Sequence, residues 1–158
     1  MTCIEILGTG PQLLSKGLRG IEPVIEEIIT DAVSEIQILA YLFTPQAVHL
    51  LDLLRKAAEK GVQITIVVNS LNSQHVTITN ELKSLASRYP HFKLVDFRGQ
   101  EDRQLHAKLV IADRKKAVVA SANLTWGGLY ANYEVGLLVE GDVAWKLAGI
   151  VDLLATPP

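Results

Sequence analysis

The strongest constraint on the fold is the order of three consecutive segments between residues 35 and 70. "EIQILAYLF" is rich in strand-forming residues, "PQAVHLLDLLRKAAEKG" has helical periodicity between a Pro and a Gly, and "VQITIVVNS" is a second apolar run. A strand, a crossover helix and a strand in so few residues predict a parallel pair with a right-handed connection. Thr44 and residues 69–72, which end the two strands, are expected to face a ligand-binding crevice.

The flanking segments extend this alternation of strands and helices. Apolar residues recur at three- and four-residue steps over residues 21–33, with Pro23 in the first turn, which predicts an amphipathic helix. After a polar loop at 70–79, "NELKSLASRYP" predicts a helix and "HFKLVDF" a strand. "LHAKLVIAD", "KAVVASA" and "NYEVGLLVE" predict three more strands, and the short "DRKK" connection favours antiparallel pairing between the first two. A last helix is expected over 143–154.

These elements predict a single α/β domain over residues 1–158, with a mixed β-sheet flanked by helices on both faces. Residues 1–20 would supply an N-terminal strand or arm and a loop. Cys3 is the only cysteine, which excludes an intrachain disulfide and favours a cytoplasmic location. No signal-like start and no apolar run near the ~20 residues of a membrane span are seen, so no membrane partner is expected.

The charge balance limits how the chain could bind nucleic acid. A formal net charge of −2 argues against a protein that coats nucleic acid through bulk positive charge. Basic residues nevertheless gather locally, at Arg98, Arg103, Lys108, Arg114, Lys115 and Lys116. A local basic cleft is therefore compatible with the sequence, although the run at 114–116 is explained more simply as a solvated face.

Each of the last three strand-like runs carries two polar residues at a spacing of two. The pairs are His106 and Lys108, Ser121 and Asn123, and Asn132 and Glu134. Side chains two apart on a strand share a face, and neighbouring strands would bring the pairs to one end of the sheet. A lone histidine in a strand is more often structural than catalytic, but three coincident pairs favour a shared site.

The chemistry of these residues fits an anion site. Lys108 and Asn123 can donate to the non-bridging oxygens of a phosphate, and Ser121 can bond the anion or the imidazole. Glu134 can fix the tautomer of His106 through one ring nitrogen, which leaves the other free to attack. Neither a carboxylate cluster for Mg²⁺ nor a His/Cys set for Zn²⁺ is evident, so no metal or other cofactor is expected.

His106, Lys108, Asp113, Ser121 and Asn123 in "HAKLVIADRKKAVVASAN" resemble the H-x-K-x4-D-x6-G-S-x-N signature of the phospholipase D superfamily. The resemblance extends to "ILAYLFTPQAVHLLDLLRKAAEKGVQITIVV", which is similar to the superfamily's N-terminal βαβ unit, and covers about residues 21–139. It implies the phospholipase D-like α/β/α sandwich.

Ala120 departs from the signature, because the family has glycine before the serine. An alanine there is expected to be tolerated if its φ is below zero and its methyl group has room near the anion.

The resemblance also implies a mechanism. His106 would attack phosphorus to give a phosphohistidine, with Lys108 and Asn123 stabilising the phosphoryl oxygens and Glu134 at the position of the family's histidine-orienting glutamate. The superfamily protonates the leaving oxygen with a second histidine, from a second motif copy. This chain has one copy, so a homodimer with a composite site is expected.

The remaining candidate residues have weaker signals. Asp113 lies on the opposite strand face from His106 by parity and is expected to close the "DRKK" turn or to cap backbone donors. Thr44, Arg98, Arg103 and Trp126 are candidate substrate-groove residues. Trp126 could stack on a base, although packing in the core or a dimer interface is the simpler interpretation.

Short single-copy members of the superfamily resemble nucleases, so the sequence favours a metal-independent endonuclease, with DNA ahead of RNA as substrate. Two alternatives stay open. One is a phospholipase or another phosphodiesterase, and the other is a non-catalytic nucleic-acid-binding subunit of a larger defence or restriction assembly.

Overall fold

The computed structural model of the chain describes residues 2–99 and 102–156. The strands are β1 (Cys3–Thr9), β2 (Arg19–Gly20), β3 (Glu35–Ala40), β4 (Gln63–Asn69), β5 (Phe92–Phe97), β6 (Leu109–Ala112), β7 (Lys116–Ala120) and β8 (Glu134–Glu140). The helices are α1 (Pro11–Ser15), α2 (Ile21–Asp31), α3 (Val48–Glu59), α4 (Val76–Arg88) and α5 (Asp142–Ala155). Short 3-10 turns lie at Pro45–Ala47 and Leu71–Ser73, and a π-helical turn lies at Gly127–Ala131.

All eight strands form one mixed sheet in the order β2-β1-β8-β7-β6-β3-β4-β5. β3, β4 and β5 are parallel, whereas β6, β7, β8 and β1 pair in antiparallel fashion from β3 outwards. The predicted mixed sheet, with its parallel first half and antiparallel second half, is therefore confirmed. This topology brings Ala40, Asn69, Leu109, Ala120 and Glu134 to the same end of the sheet, which is called the site end below.

Apolar side chains fill both faces of the sheet. α2, α3 and α4 cover one face, where Val110 and Ala112 of β6 join the core, and α5 covers part of the other face, where Leu109 and Ile111 are buried. The central strands are apolar on both faces, as expected for strands covered from both sides. The alternation predicted within "LVIA" is therefore correct.

Several predicted boundaries were wrong. The strand in "LHAKLVIAD" is only Leu109–Ala112, so His106 and Lys108 lie in the extended chain before it. α2 ends at Asp31, and Val33, which was expected on its apolar face, is 81% exposed. α4 begins inside the predicted polar loop, because His75 caps it by accepting a hydrogen bond from the backbone N–H of Thr77 at 3.2 Å.

The charged segment between β5 and β6 crosses the site end. Residues 100 and 101 of this predicted loop lie outside the described residues. Further along, the backbone N–H of Leu105 donates to Oδ1 of Asn69, at the end of β4, at 2.9 Å. Asn69, which was expected to face a crevice, instead holds the segment that delivers His106 to the site end.

In the described part of the chain, no helix has both the length and the apolar character needed to span a membrane.

Candidate active site

The topology gathers the predicted catalytic residues at the site end of the sheet. His106 and Lys108 precede β6, Ser121 and Asn123 follow β7, and Glu134 begins β8. β6, β7 and β8 are neighbours in antiparallel register, so these three segments meet where the chain enters or leaves the sheet. The described chain thus brings together residues that are up to 28 positions apart in sequence.

His106 and Lys108 contact each other directly. The Lys108 ammonium lies 3.0 Å from Nδ1 of His106 and donates to the His106 carbonyl oxygen at 2.8 Å. Because an ammonium can only donate, Nδ1 is the acceptor and the ring proton of a neutral imidazole sits on Nε2. Burial lowers the pKa of Lys108, and the nearby Glu134 carboxylate opposes part of that shift.

Tyr41 is the residue that sequence reasoning missed. Its ring centroid is 4.3 Å from that of His106, and the Lys108 ammonium lies 5.4 Å from the Tyr41 centroid. Both contacts are of kinds that orient imidazole and ammonium groups. The signal available in the sequence was the position of Tyr41 immediately after a buried strand.

Gln74 fixes the backbone that carries Tyr41. Its amide Nε2 donates to the carbonyl oxygens of Tyr41 at 3.0 Å and of Asn69 at 2.7 Å. Its Oε1 accepts from the backbone N–H of Phe43 at 2.9 Å. A buried glutamine therefore ties the ends of β3 and β4 together beneath the site.

Glu134 is held by Ser121 rather than by His106. The Ser121 hydroxyl donates to Oε2 of Glu134 and accepts from the backbone N–H of Val135 at 3.2 Å. The sequence-based expectation that Glu134 would fix the tautomer of His106 is not met in the single chain, where Lys108 occupies the Nδ1 position. The Glu134 carboxylate instead favours the charged form of Lys108 and so opposes the effect of burial on its pKa.

Asn123 and Thr44 lie next to two backbone hydrogen bonds that join the segment after β3 to the segment after β7. The N–H of Leu124 donates to the Leu42 carbonyl at 3.1 Å, and the N–H of Thr44 donates to the Leu124 carbonyl at 3.0 Å. Oδ1 of Asn123 and Oγ1 of Thr44 are buried and have no hydrogen-bond partner within the described residues. An unpaired buried polar atom costs about 1–3 kcal/mol, so both positions are suited to a bound ligand or water.

Gly128 permits the close approach of the π-helical turn to Asn123. A Cβ atom at Gly128 would lie 2.3 Å from the backbone carbonyl oxygen of Asn123 and 2.8 Å from its backbone nitrogen. Any larger residue would displace the backbone that carries the Asn123 side chain.

Ala120 meets the backbone condition set for replacing the family's glycine. Ser70, Asp113 and Arg114 are the described non-glycine residues with positive φ, so Ala120 has an ordinary backbone conformation. Its partner across the β7–β8 pair is Gly136, and a Cβ there would lie 3.0 Å from the Ala120 Cβ. The methyl group has room because the opposite residue is glycine.

Asp113 lies at the opposite end of β6 from His106 and caps backbone donors. Its carboxylate accepts from the N–H groups of Val33, Ser34 and Glu35 at 2.7–3.2 Å and from the Ser34 hydroxyl at 2.8 Å. Burial would raise the pKa of Asp113, but these hydrogen bonds together hold it below the ordinary value. The "DRKK" turn is closed by the backbone itself, between the Lys115 N–H and the Ala112 carbonyl at 3.0 Å.

The basic run at 114–116 is not part of the site. It lies with Asp113 at the far end of β6, where Arg114 pairs with Glu35 and Asp152 at 2.8 Å. Those partners raise the pKa of Arg114, Asp152 first and Glu35 second. This position agrees with the simpler interpretation of the run as a solvated face.

The other groove candidates are at the surface. Trp126 is 57% exposed, so packing in the core of the single chain is excluded for it. Arg98 follows β5 at the site end but is bonded to Asp96 at 2.8 Å, and Arg103 is exposed on the segment that leads to His106. No contact in the described residues brings Trp126, Arg98 or Arg103 to His106.

Among the described residues, the group of acidic and histidine side chains that could hold a metal is Glu22, Glu26 and His49, on α2 and α3. No sequence pattern indicated this cluster, because its members come from two helices.

Comparisons with known proteins identify a matching family model and a curated relative. A family model described as "Cardiolipin synthase, PLD-like domain" matches residues 25–151. DISARM protein DrmC from Bacillus paralicheniformis is 30% identical over 141 residues, which are 88% of this chain and 58% of that protein. The chain thus spans less than two thirds of this curated relative.

Two solved structures share the fold over nearly their whole length. NucT from Helicobacter pylori superposes with a TM-score of 0.79 at 19% identity, covering 98% of this chain and 96% of that one. Nuc, a phospholipase D family member from Salmonella typhimurium, superposes with a TM-score of 0.74 at 18% identity, covering 98% and 94%.

Proposed function

This chain belongs to the phospholipase D superfamily, and from that premise we propose that it is a metal-independent endonuclease that cleaves DNA through His106. The observation that carries the proposal is the meeting of His106 and Lys108 with Ser121, Asn123 and Glu134 at one end of the sheet. An imidazole, an ammonium and an amide at the same end of the sheet suit attack on a phosphodiester, in which negative charge builds up on the phosphoryl oxygens.

The contact between Lys108 and His106 supports a specific order of events. A phosphate oxygen entering the site competes for the Lys108 ammonium, which leaves Nδ1 of His106 when it binds the anion. Nδ1 can then take the ring proton, and Nε2 presents its lone pair to phosphorus. The N–P bond forms as one ester O–P bond breaks, so the phosphohistidine still carries one end of the cut strand. Attack by water on this intermediate releases that end and restores His106.

The leaving oxygen needs a proton, and within residues 2–99 and 102–156 no second histidine contacts His106 to supply it. In the described structure His49, His75 and His91 are bonded to Glu22, to the Thr77 N–H and to the Ala58 carbonyl respectively. We therefore propose that the acid is His106 of a second copy, in a twofold homodimer that forms one composite site.

An exposed apolar surface supports the dimer proposal. On the sheet face that carries α5, the strands β1, β8 and β7 leave Ile4, Ile6, Val119, Val135 and Leu137 exposed, and these five residues are called the apolar strip. Ile6 and Val119 both pair with Leu137, so the strip crosses three adjacent strands. Val135 directly follows Glu134, which brings the strip to the site end. Contiguous apolar patches of this kind mark interfaces.

Different relatives support different parts of the proposal, namely the substrate and the assembly. NucT and Nuc share the fold over nearly their whole length, which supports the nuclease-like branch of the superfamily for this chain. The similarity to a DISARM protein supports a place within a larger assembly of the defence or restriction kind. The cardiolipin synthase description of the family model favours a second candidate, a phosphodiesterase that acts on lipid.

Cleavage assays in EDTA test the proposed activity. DNA, RNA and labelled phosphatidylcholine are incubated with wild type, His106→Ala and His91→Ala, a histidine control at the opposite end of the sheet. Wild type and His91→Ala are expected to cut DNA, with a loss of about 10³-fold or more in His106→Ala. A requirement for added metal, or cleavage that survives loss of His106, would contradict the mechanism. Hydrolysis of phosphatidylcholine without cleavage of nucleic acid would favour the lipid candidate.

A further inference from the structure

Three side chains converge at the N-terminal turns of α2 and α3, outside the group formed by His106 and Lys108. Nε2 of His49 lies 2.8 Å from Oε1 of Glu22 and 3.2 Å from Oε1 of Glu26. Glu22 and Glu26 are one turn apart on α2, and His49 is in the first turn of α3. The hydroxyl of Tyr130, in the π-helical turn, is 3.3 Å from the same His49 nitrogen. Four polar groups from three segments therefore surround one point.

The spacing of these groups fits a tetrahedral metal site. Ligand atoms bound at about 2.0–2.2 Å in a tetrahedron lie roughly 3.3–3.6 Å from one another. The three donor atoms here are all within 4.8 Å of one another, and the two contacts to His49 Nε2 are at 2.8 and 3.2 Å. Only a small outward movement of the side chains would admit an ion.

The charges of the cluster also favour a dication. Glu22 is buried, with 9% of its surface exposed, and a single protonated histidine can balance only one of the two carboxylates. The cluster therefore carries negative charge that its own residues do not balance.

We propose that Glu22, Glu26 and His49 bind a first-row transition-metal dication of the Zn²⁺ class, with the Tyr130 hydroxyl at the fourth position. The imidazole nitrogen and the tight spacing suit Zn²⁺, whereas Mg²⁺ requires octahedral coordination by oxygen. The ion would tie α2 and α3 to the turn Gly127–Ala131, which leads from Asn123 towards Glu134.

The cluster lies at the site end of the sheet, where α2 follows β2 and α3 follows β3, but it shares no residue with the proposed phosphodiester chemistry. Across the described residues, no hydrogen bond joins Glu22, Glu26, His49 or Tyr130 to the side chains of His106 and Lys108. Removal of the metal is thus compatible with cleavage in EDTA, and the two proposals can fail independently.

Calorimetric titration of the EDTA-treated, dialysed full chain with Zn²⁺ and separately with Mg²⁺ tests the site. The variants are Glu26→Gln, at a half-exposed position where folding should be preserved, and His49→Ala. The controls are His75→Ala, Cys3→Ser and His106→Ala, and circular dichroism verifies that each variant is folded.

One Zn²⁺ per chain is expected, with affinity reduced about tenfold or more in Glu26→Gln and His49→Ala and unchanged in the three controls. Zn²⁺ should also raise the melting temperature of wild type and of His106→Ala equally, since binding to the folded state stabilises it. The assignment would be overturned by absence of saturable Zn²⁺ binding or by an affinity of both cluster variants equal to that of wild type. Loss of binding in a control, or Mg²⁺ binding as tight as Zn²⁺ binding, would also overturn it.

Discussion

At the scale of single residues, the members of one sequence signature have different tasks. Asp113 and His106 stand at opposite ends of β6, and only His106 lies with the other proposed catalytic groups. Asp113 instead receives hydrogen bonds from the turn between α2 and β3. The number of residues between His106 and Asp113 is therefore set by the length of β6. The spacing of two between His106 and Lys108 instead allows their side chains to contact each other.

Replacing Asp113 by Asn should lower stability and remove part of its pH dependence. The loss of charge-assisted hydrogen bonds is expected to cost about 2–4 kcal/mol of unfolding free energy at pH 7. Because the folded pKa of Asp113 is depressed, its contribution is present above the unfolded value near 3.9 and is lost as pH falls through the folded pKa. Urea unfolding at pH 7 and at pH 3 measures both effects, with Asp31→Asn as an exposed control. Equal stability of wild type and Asp113→Asn at pH 7 would show that the cap is not stabilising.

Tyr41 offers a second test at this scale. Removing its ring in Tyr41→Ala should free the His106 imidazole and the Lys108 ammonium, with a loss of about 10- to 10²-fold in kcat and little change in KM. Tyr41→Phe keeps the ring and should retain most of the activity. Measurement of kcat, KM and the pH profile of both variants distinguishes a role of the Tyr41 ring from a role of its hydroxyl. A similar loss in both variants would point to the hydroxyl rather than to ring contact.

At the scale of secondary structure, the order of strands and helices could be predicted because hydrophobic periodicity is local. The ends of elements could not, because they depend on partners distant in the chain. β6 starts only at Leu109, since the preceding segment is held by Asn69, and α4 starts early because His75 caps it. The polar pairs could be predicted for the same reason, because each pair lies within one short segment. The roles of Tyr41 and Gln74 and the Glu22–His49 contact could not, because they depend on tertiary packing.

The β7–β8 pair makes a testable prediction about Ala120. Gly136→Ala would place a Cβ 3.0 Å from the Ala120 Cβ and 3.1 Å from the Val119 carbonyl oxygen, with an expected loss of about 1–3 kcal/mol. In an Ala120→Gly background the first of these contacts disappears, so the cost of Gly136→Ala should be smaller. Urea unfolding of the four proteins of this double-mutant cycle measures the coupling. Strict additivity would mean that the two positions do not compete for space.

At the scale of the whole molecule, one chain supplies half of the proposed machinery and an exposed surface beside it. The apolar strip and the missing acid histidine suggest the same solution, a second copy across a twofold axis. Light scattering is expected to give twice the mass of the chain for wild type. Ile6→Lys combined with Leu137→Lys should give a folded, inactive monomer, because both side chains are exposed in the single chain. An active monomer would contradict the composite site.

Mixing of subunits gives a quantitative form of the same test. If both His106 side chains serve one site, a heterodimer of wild type and His106→Ala is inactive. After complete subunit exchange, activity per total protein should then fall as the square of the wild-type fraction. His91→Ala serves as the mixing control and should leave activity constant. A linear fall with His106→Ala would show that each chain works alone.

The most direct measurement is a search for the covalent intermediate. Wild-type protein is mixed with end-labelled DNA in EDTA, the reaction is stopped by denaturation at successive times, and labelled protein is separated and mapped by mass spectrometry. The account predicts a transient adduct in which His106 carries the phosphate and one end of the cut strand, and no adduct in His106→Ala. DNA cleavage without any protein-bound strand, or with the strand attached to another residue, would contradict it.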